Sequence, residues 1–274
     1  MSTRAAQFQA EVVRREQLSE HFVRIVLGGE GLAGFASTGI PDEWVALTVP
    51  GQFQTRYYTV RSWAGGELTL DIVVHDHGLV TEWASGDVVG EVVTVSAPRG
   101  SFAMPETAQW LHLVGDLTAL PAIARIVETR PDIPVTAWCE VPGAELEGYV
   151  DAASGRDSGA EGAWATVHAV QPPEGTQTAT AAIVERIDWP EGEGYFWMAG
   201  ESAQMRQIRK HLMREVRLPS SAYDVMGYWR GGHRRQPRAV DPAPIWAAGK
   251  AQGKTDEQIW ADYDAARDAQ EGQR

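Results

Sequence analysis

The feature that most constrains this chain is a change of hydrophobic rhythm near residue 110. Before it, stretches rich in Val, Thr, Leu and aromatics at 7–15, 22–27, 44–49, 55–63, 67–74 and 90–96 are separated by turn residues. Gly65-Gly66 reverses one strand into the next. That spacing predicts an antiparallel six-stranded β-barrel interrupted by one short helix at 81–85. After residue 110, strands at 110–115, 135–141, 165–170, 195–199 and 222–229 alternate with helices that start at 120, 177 and 202. In the first of these, Leu120, Ile123, Ala124 and Val127 share a face, and Pro121 suits its first turn. Such alternation predicts a parallel α/β nucleotide-binding sheet with crossover helices. We therefore expect a barrel domain over 1–106, an α/β domain over 107–236 and a C-terminal extension over 237–274. The extension ends in an acidic helix with Ile259, Trp260, Tyr263 and Ala266 on one face, and 151–163 reads as a loop.

Charge and cysteine content narrow the function. The chain carries 24 basic and 37 acidic side chains, a net −13, which opposes binding to a nucleic-acid polyanion. Positive charge gathers only at 204–238, which is +7 while the remainder is −20. No apolar run approaches the roughly 18 residues of a membrane-spanning helix. The first ten residues lack the apolar core of a secretory signal, so a cytoplasmic protein without membrane insertion is expected. Cys139 is the only cysteine, which excludes an internal disulfide, a cysteine-ligated cluster and a zinc finger. If the protein moves electrons, an organic cofactor must carry them.

Several motifs bear on that cofactor. Gly29-Glu30-Gly31-Leu32-Ala33-Gly34 fits G-x-G-x-x-G, but the following Phe35 to Pro41 cannot open a long helix, so the segment reads as a turn. Arg56-Tyr57-Tyr58-Thr59-Val60-Arg61 lies in a barrel strand, with Arg56, Tyr58 and Val60 on one face and Tyr57, Thr59 and Arg61 on the other. Paired arginines and tyrosines in an acidic chain point to an anionic ligand with a flat ring, because a guanidinium fork pairs with phosphate and a tyrosine covers the ring. His75 and His77 lack the third and fourth ligands of a stable metal site, so no metal is expected. Asp116 and Thr118 stand where a strand meets a helix at the carboxyl edge of the sheet, able either to face a dinucleotide or simply to cap the helix. Glu140, ending the next strand, is placed to accept a ribose hydroxyl. From residue 202, Met205, Ile208, Leu212 and Val216 form a buried stripe, opposite a solvated face of Arg206, Arg209, Lys210, Arg214 and Arg217.

Arg56-x-Tyr58-Thr59-x-Arg61 resembles the flavin signature of the siderophore-interacting protein family, which are ferric-siderophore reductases of the ferredoxin-reductase-like superfamily. The resemblance continues through Asp71-x-Val73-x-His75-x-x-Gly78-x-x-Thr81-x-Trp83-Ala84, Gly86-Asp87 and Pro98-Arg99-Gly100-Ser101-Phe102. It resumes at Gly115-Asp116-x-Thr118-Ala119-Leu120-Pro121, Met198-Ala199-Gly200-Glu201 and Gly227-Tyr228-Trp229-Arg230. The blocks run in family order over roughly residues 10–232. The chain departs from the family pattern at Leu79-Val80, where Pro-Ala is usual, and at Leu117, where Glu is usual.

The resemblance implies FAD, with Arg56 on its pyrophosphate, Tyr58 against the ring and Thr59 near N5. It further implies contacts from Arg61, Val73, Val74, His75, Gly78, Val80, Thr81, Trp83, Asp116, Thr118, Ala119, Tyr228 and Trp229. Arg230, Arg234, Arg235 and Lys250 would supply positive charge for a ferric siderophore. The implied activity is reduction of ferric siderophores with NADH or NADPH as donor. The alternatives are a reduced ferredoxin as donor, or a non-catalytic siderophore carrier on the same fold. A monomer is the expected state.

Overall fold

A computed structural model describes residues 6–52, 55–74, 78–129, 132–141, 149, 165–171, 178–230, 242–254, 259 and 262. Strands β1 (Gln7–Gln17), β2 (Phe22–Gly28), β3 (Trp44–Thr48), β4 (Arg56–Ala64), β5 (Glu67–Val73) and β6 (Val92–Ser96) close into an antiparallel barrel. Their order around it is β1-β2-β5-β4-β3-β6. Alternation directs Val12, Ile25, Leu27, Val45, Leu47, Val60, Leu70, Ile72, Val93 and Val95 into one buried core. Helix α1 (Leu79–Ser85), which begins two residues earlier than the pattern suggests, presses Val80 and Ala84 onto that core. The glycine-rich stretch from Gly29 forms a single 3-10 turn, Glu30–Leu32, as expected for a turn rather than a phosphate loop.

The second half alternates as the sequence predicts. It contains β7 (Leu111–Asp116), α2 (Leu120–Glu128), β8 (Val135–Glu140), β9 (Ala165–Val170), α3 (Thr180–Val184), β10 (Tyr195–Glu201), α4 (Met205–His211), β11 (Tyr223–Trp229) and α5 (Pro242–Ala251). The five strands are parallel, in the order β11-β10-β7-β8-β9. Among the described residues, no helix is long and apolar enough to cross a membrane.

The helix expected from residue 202 differs in two ways. Ser202 uses its N–H and its hydroxyl on the Trp229 carbonyl (2.7 and 2.6 Å), so 202–204 turn and the helix begins at Met205. After His211 it widens into a π turn, Leu212–Val216, ended by Arg217 in the left-handed region. Arg209, read as part of a solvated face, donates to the Val225 carbonyl and ties α4 to β11. Of the C-terminal apolar face only Ile259 is described, buried against Gly249; Trp260, Tyr263 and Ala266 lie outside the described residues, as does 151–163.

Two adjacent buried carboxylates fasten barrel to sheet. Asp42 accepts from the Ser101 N–H and hydroxyl (both 2.9 Å), the Phe102 N–H (3.0 Å) and the Trp197 indole of β10 (3.1 Å). Glu43 accepts from Ser37, Thr38 and Arg125 of α2, and Arg125 also donates to the Val60 carbonyl (2.6 Å). A further strut runs from Asp71 to Arg24 (2.7 and 2.8 Å) and to the Tyr149 hydroxyl, while the Tyr149 ring stacks on Phe22.

On the sheet, His112 is packed among Trp110, Trp138 and Trp189, with ring centroids 4.8–5.7 Å away. Burial pushes its imidazole down to about 4.

Two outcomes follow from these contacts. Asp42→Ala strands four donors and is expected to lower the unfolding free energy by about 3 kcal/mol in denaturant melts; a loss below about 1 kcal/mol would contradict the clamp. Between about pH 6.5 and 4 the unfolded chain takes up a proton that folded His112 refuses. Stability is therefore fully present above that window and falls as pH drops through it, at up to about 1.4 kcal/mol per pH unit. His112→Phe should flatten this slope; an unchanged slope would place its origin elsewhere.

Candidate flavin site

The barrel and the sheet meet through Asp42, Glu43 and Arg61 and their partners on β10 and α2. On the barrel side, register places Tyr58 opposite Val45 and Thr59 opposite Trp44. Val60 points into the core and Tyr57 out to solvent, while Arg56, Tyr58 and Arg61 are half-buried and Thr59 is buried. Burial raises the Tyr58 phenol, which keeps it neutral. Thr59 is buried, and its hydroxyl has no hydrogen-bond partner among the described residues.

On the sheet side the carboxyl ends of β7, β8, β10 and β11 supply Asp116, Glu140, Glu201, Tyr228 and Trp229. Close approach here depends on missing side chains. A Cβ at Gly115 would lie 2.4 Å from that of Ala119, and one at Gly227 would lie 2.4 Å from the Ser202 hydroxyl. Asp116 is buried and fully engaged. One oxygen accepts the Thr118 N–H (2.9 Å) and hydroxyl (2.5 Å), and the other accepts the Trp229 indole (2.6 Å). Burial raises its carboxyl, opposed by the hydrogen bonds from Thr118 and Trp229. The Tyr228 hydroxyl is buried, without a well-formed hydrogen bond among the described residues. It stands close enough to the Thr59 hydroxyl for the two to interact, which opposes the rise of its phenol. Burial, then Asp42, Asp224 and Asp116, raise its phenol.

Several residues expected at the cofactor also hold contacts within the fold. The Arg61 guanidinium spans the junction to Glu128 of α2 (3.0 and 2.6 Å) and lies 5.5 Å from the Tyr149 ring centre. The Val80 side chain belongs to the barrel core, the Thr81 hydroxyl reaches the Val73 carbonyl (3.4 Å), and the Trp83 indole donates to Glu91 (2.7 Å). Thr118 completes the cap made by Asp116, so the capping alternative is the one realised, and the Ala119 side chain is fully buried. Trp229 is held by Asp116. Glu140, expected to be open to a ribose, instead holds the Thr178 hydroxyl (2.6 Å) and the Ala179 N–H (3.0 Å) at the start of α3. Among the described residues, the buried polar atoms without a hydrogen bond near the junction are the Thr59 and Tyr228 hydroxyls, Arg61 Nε and Asp224 Oδ2. Val74 donates its N–H to the His21 carbonyl (2.8 Å). Arg230 is exposed at the end of β11, and Lys250 is exposed in the last turn of α5. His75, Arg234 and Arg235 lie outside the described residues.

The sequence reading missed Asp42, Glu43 and Tyr149. Asp42-Glu43 follows Pro41 before an ordinary strand and looks like a solvated turn. Tyr149 comes from a stretch without helical or strand periodicity.

Comparison with known proteins agrees with this geometry. The siderophore-interacting FAD-binding domain family model matches residues 11–56 and 51–102, and the siderophore-interacting protein family model matches 108–232. A siderophore utilization protein from T. fusca, known as a crystal structure, superposes with a TM-score of 0.70 at 29% identity, covering 86% of this chain and 97% of that one. The NADPH-dependent ferric-chelate reductase of Escherichia coli is 26% identical over 243 residues, 80% of this chain and 91% of that protein. Ferric vibriobactin reductase ViuB of Vibrio cholerae is 25% identical over 257 residues, 82% of this chain and 90% of that protein.

Because the Trp229 indole satisfies a buried carboxylate, Trp229→Phe is expected to cost about 1–2 kcal/mol of stability in the protein free of any ligand, read by denaturant melts. A variant as stable as the parent would remove Trp229 from the structural frame.

Proposed function

Since this chain belongs to the siderophore-interacting protein family, we propose that it is an FAD-dependent reductase of ferric siderophores that releases Fe(II), with electrons from NADH or NADPH. The observation that carries the reading is that Arg56, Tyr58 and Thr59 lie together on β4, with the Tyr58 ring half-buried and the Thr59 hydroxyl buried and without a well-formed hydrogen bond among the described residues. A buried hydroxyl without a partner is costly, and a flavin edge supplies the missing partner.

FAD, when bound, converts a two-electron donation into single-electron deliveries to chelated Fe(III). The protein's own work is to bind, orient and exclude. Arg56 offers a permanently charged fork for a pyrophosphate. Tyr58, neutral and packed on the barrel core, offers an aromatic face for the ring. The Asp42, Glu43 and Arg61 contacts keep both walls of the cleft at a fixed spacing. Ferrous iron is held far less tightly than ferric iron by hard oxygen chelators, so no protein ligand to iron is required. The reading gives Arg230, Arg234, Arg235 and Lys250 the task of attracting the anionic chelate, through guanidinium forks that suit catecholate or carboxylate oxygens.

A second reading keeps the reaction but takes electrons from a reduced ferredoxin. It is favoured by Asp116, Glu140 and Glu201, three buried carboxylates at the sheet edge where a dinucleotide pyrophosphate binds, and by the exposed Arg206, Lys210, Arg214 and Arg217.

The deciding experiment is anaerobic mixing of the flavin-loaded protein with NADH, NADPH or reduced ferredoxin, followed by a panel of ferric chelates and a ferrous trap. Bleaching by one of these donors and trapped Fe(II) from at least one chelate are expected; no trapped iron from any chelate would overturn the reductase assignment. Arg56→Ala combined with Tyr58→Ala should yield protein without flavin absorbance, and a fully yellow double variant would remove both residues from the cofactor site.

A further inference from the structure

We propose that the carboxyl edge of the sheet is closed to the diphosphate tail of a dinucleotide, with Asp116 and Glu140 as the residues that exclude it. A nicotinamide donor is then selected by its ring half alone. This deepens the donor half of the reading above and rests on that reading only for the identity of the donor.

Topology says where the tail would lie. The chain builds outward from β7 to β8 and β9, then crosses back to β10 and β11, so the sheet reverses between β7 and β10. Parallel sheets of this kind bind dinucleotides in the crevice outside the strand ends at such a point. Binding there draws on glycines whose bare faces admit a phosphate, and on free N–H groups at a helix start. Here the protein uses both itself. A Cβ at Gly115 of β7 would meet Ala119 and Ile123, and one at Gly227 of β11 would meet the Ser202 hydroxyl. One at Gly200 of β10 would lie 2.9 Å from Asp116 Oδ2, so the Asp116 carboxylate itself stands between β7 and β10.

The helix starts are spent in the same way. Asp116 accepts the Thr118 N–H ahead of α2 (2.9 Å), and Glu140 accepts the Ala179 N–H ahead of α3 (3.0 Å). Glu201 accepts the Ala203 N–H in the turn ahead of α4 (2.8 Å). Gln204 closes α3 further, its side-chain oxygen taking the Ala181 N–H (2.7 Å) and the Thr180 hydroxyl (3.0 Å). A carboxylate at a helix start takes from a phosphate both the donor and the favourable end of the dipole. Asp116 and Glu140 each accept on both oxygens, the pattern of an ionised carboxyl. Among the described residues neither forms an ion pair. A diphosphate would therefore bring two more negative charges to a buried acidic edge.

The test titrates the folded full-length chain with ADP-ribose and with its 2′-phosphate, the tails of NADH and NADPH, by calorimetry. Neither should give saturable heat below about 1 mM, and saturation in the micromolar range would overturn the inference. Glu140→Gln keeps an acceptor oxygen for the Ala179 N–H and removes a charge, so it should tighten ADP-ribose about tenfold. A variant no tighter than the parent would overturn the role given to Glu140. Asp116→Asn should act in the same sense but melt lower, since the Trp229 indole loses its acceptor; Glu140→Gln carries the test if that variant does not fold. On flavin-loaded protein, NADH, NADPH and reduced nicotinamide mononucleotide, which lacks the adenylate, should bleach at rates within about threefold of one another. An advantage of about tenfold for either dinucleotide over the mononucleotide would overturn the inference. No bleaching by any of the three agrees with it, and leaves reduced ferredoxin as the donor in the reading above. Failure to bind FAD would defeat that reading, while the tail titration would still decide this one.

Discussion

The arrangement depends on a pair of carboxylates withdrawn from water at the threshold of β3. Asp42 and Glu43 are both fully buried, and burial of a carboxylate is tolerated only when donors surround it. The donors come from the linker at Ser101 and Phe102, from β10 through Trp197, and from α2 through Arg125. The Trp197 and Arg125 donors lose these partners if the barrel moves away from the sheet. Much of the penalty for separating the two units therefore falls on these two residues, and their contacts, with Arg61 to Glu128, fix the spacing of the two walls.

That fixed width separates the residues with chemical work from those with structural work. Arg61, Glu128, Asp116, Trp229 and Glu140 carry the charge and the indole that attract attention in the sequence, yet their polar atoms are spent on one another and on neighbouring turns. Among the described residues the buried groups left over include two modest ones, the Thr59 and Tyr228 hydroxyls, beside Arg61 Nε and Asp224 Oδ2. A built site is marked here by polar capacity that the fold leaves unspent, more than by density of charge.

Much of the architecture was legible because periodicity reports burial directly. Val45, Leu47, Val60, Leu70 and Ile72 alternate as a barrel lining must, and Leu120, Ile123, Ala124 and Val127 recur as a buried helix face must. The site was legible in part. Arg56, Tyr58 and Thr59 stood out as residue types and lie together on β4, but strand alternation alone cannot say that Arg61 turns toward Glu128. Polar partnerships between residues as distant as Asp42 and Trp197 leave no local pattern. The helix from residue 202 shows the same limit, since its start is set by Ser202 bonding to the Trp229 carbonyl on another strand. Tertiary hydrogen bonds overrode local propensity there.

The account is tested most directly by titrating the purified full-length chain with FAD by calorimetry. It predicts saturation at one FAD per chain. Heat that never saturates, or no heat at all across a range of temperatures, would contradict a flavin cleft between the barrel and the sheet.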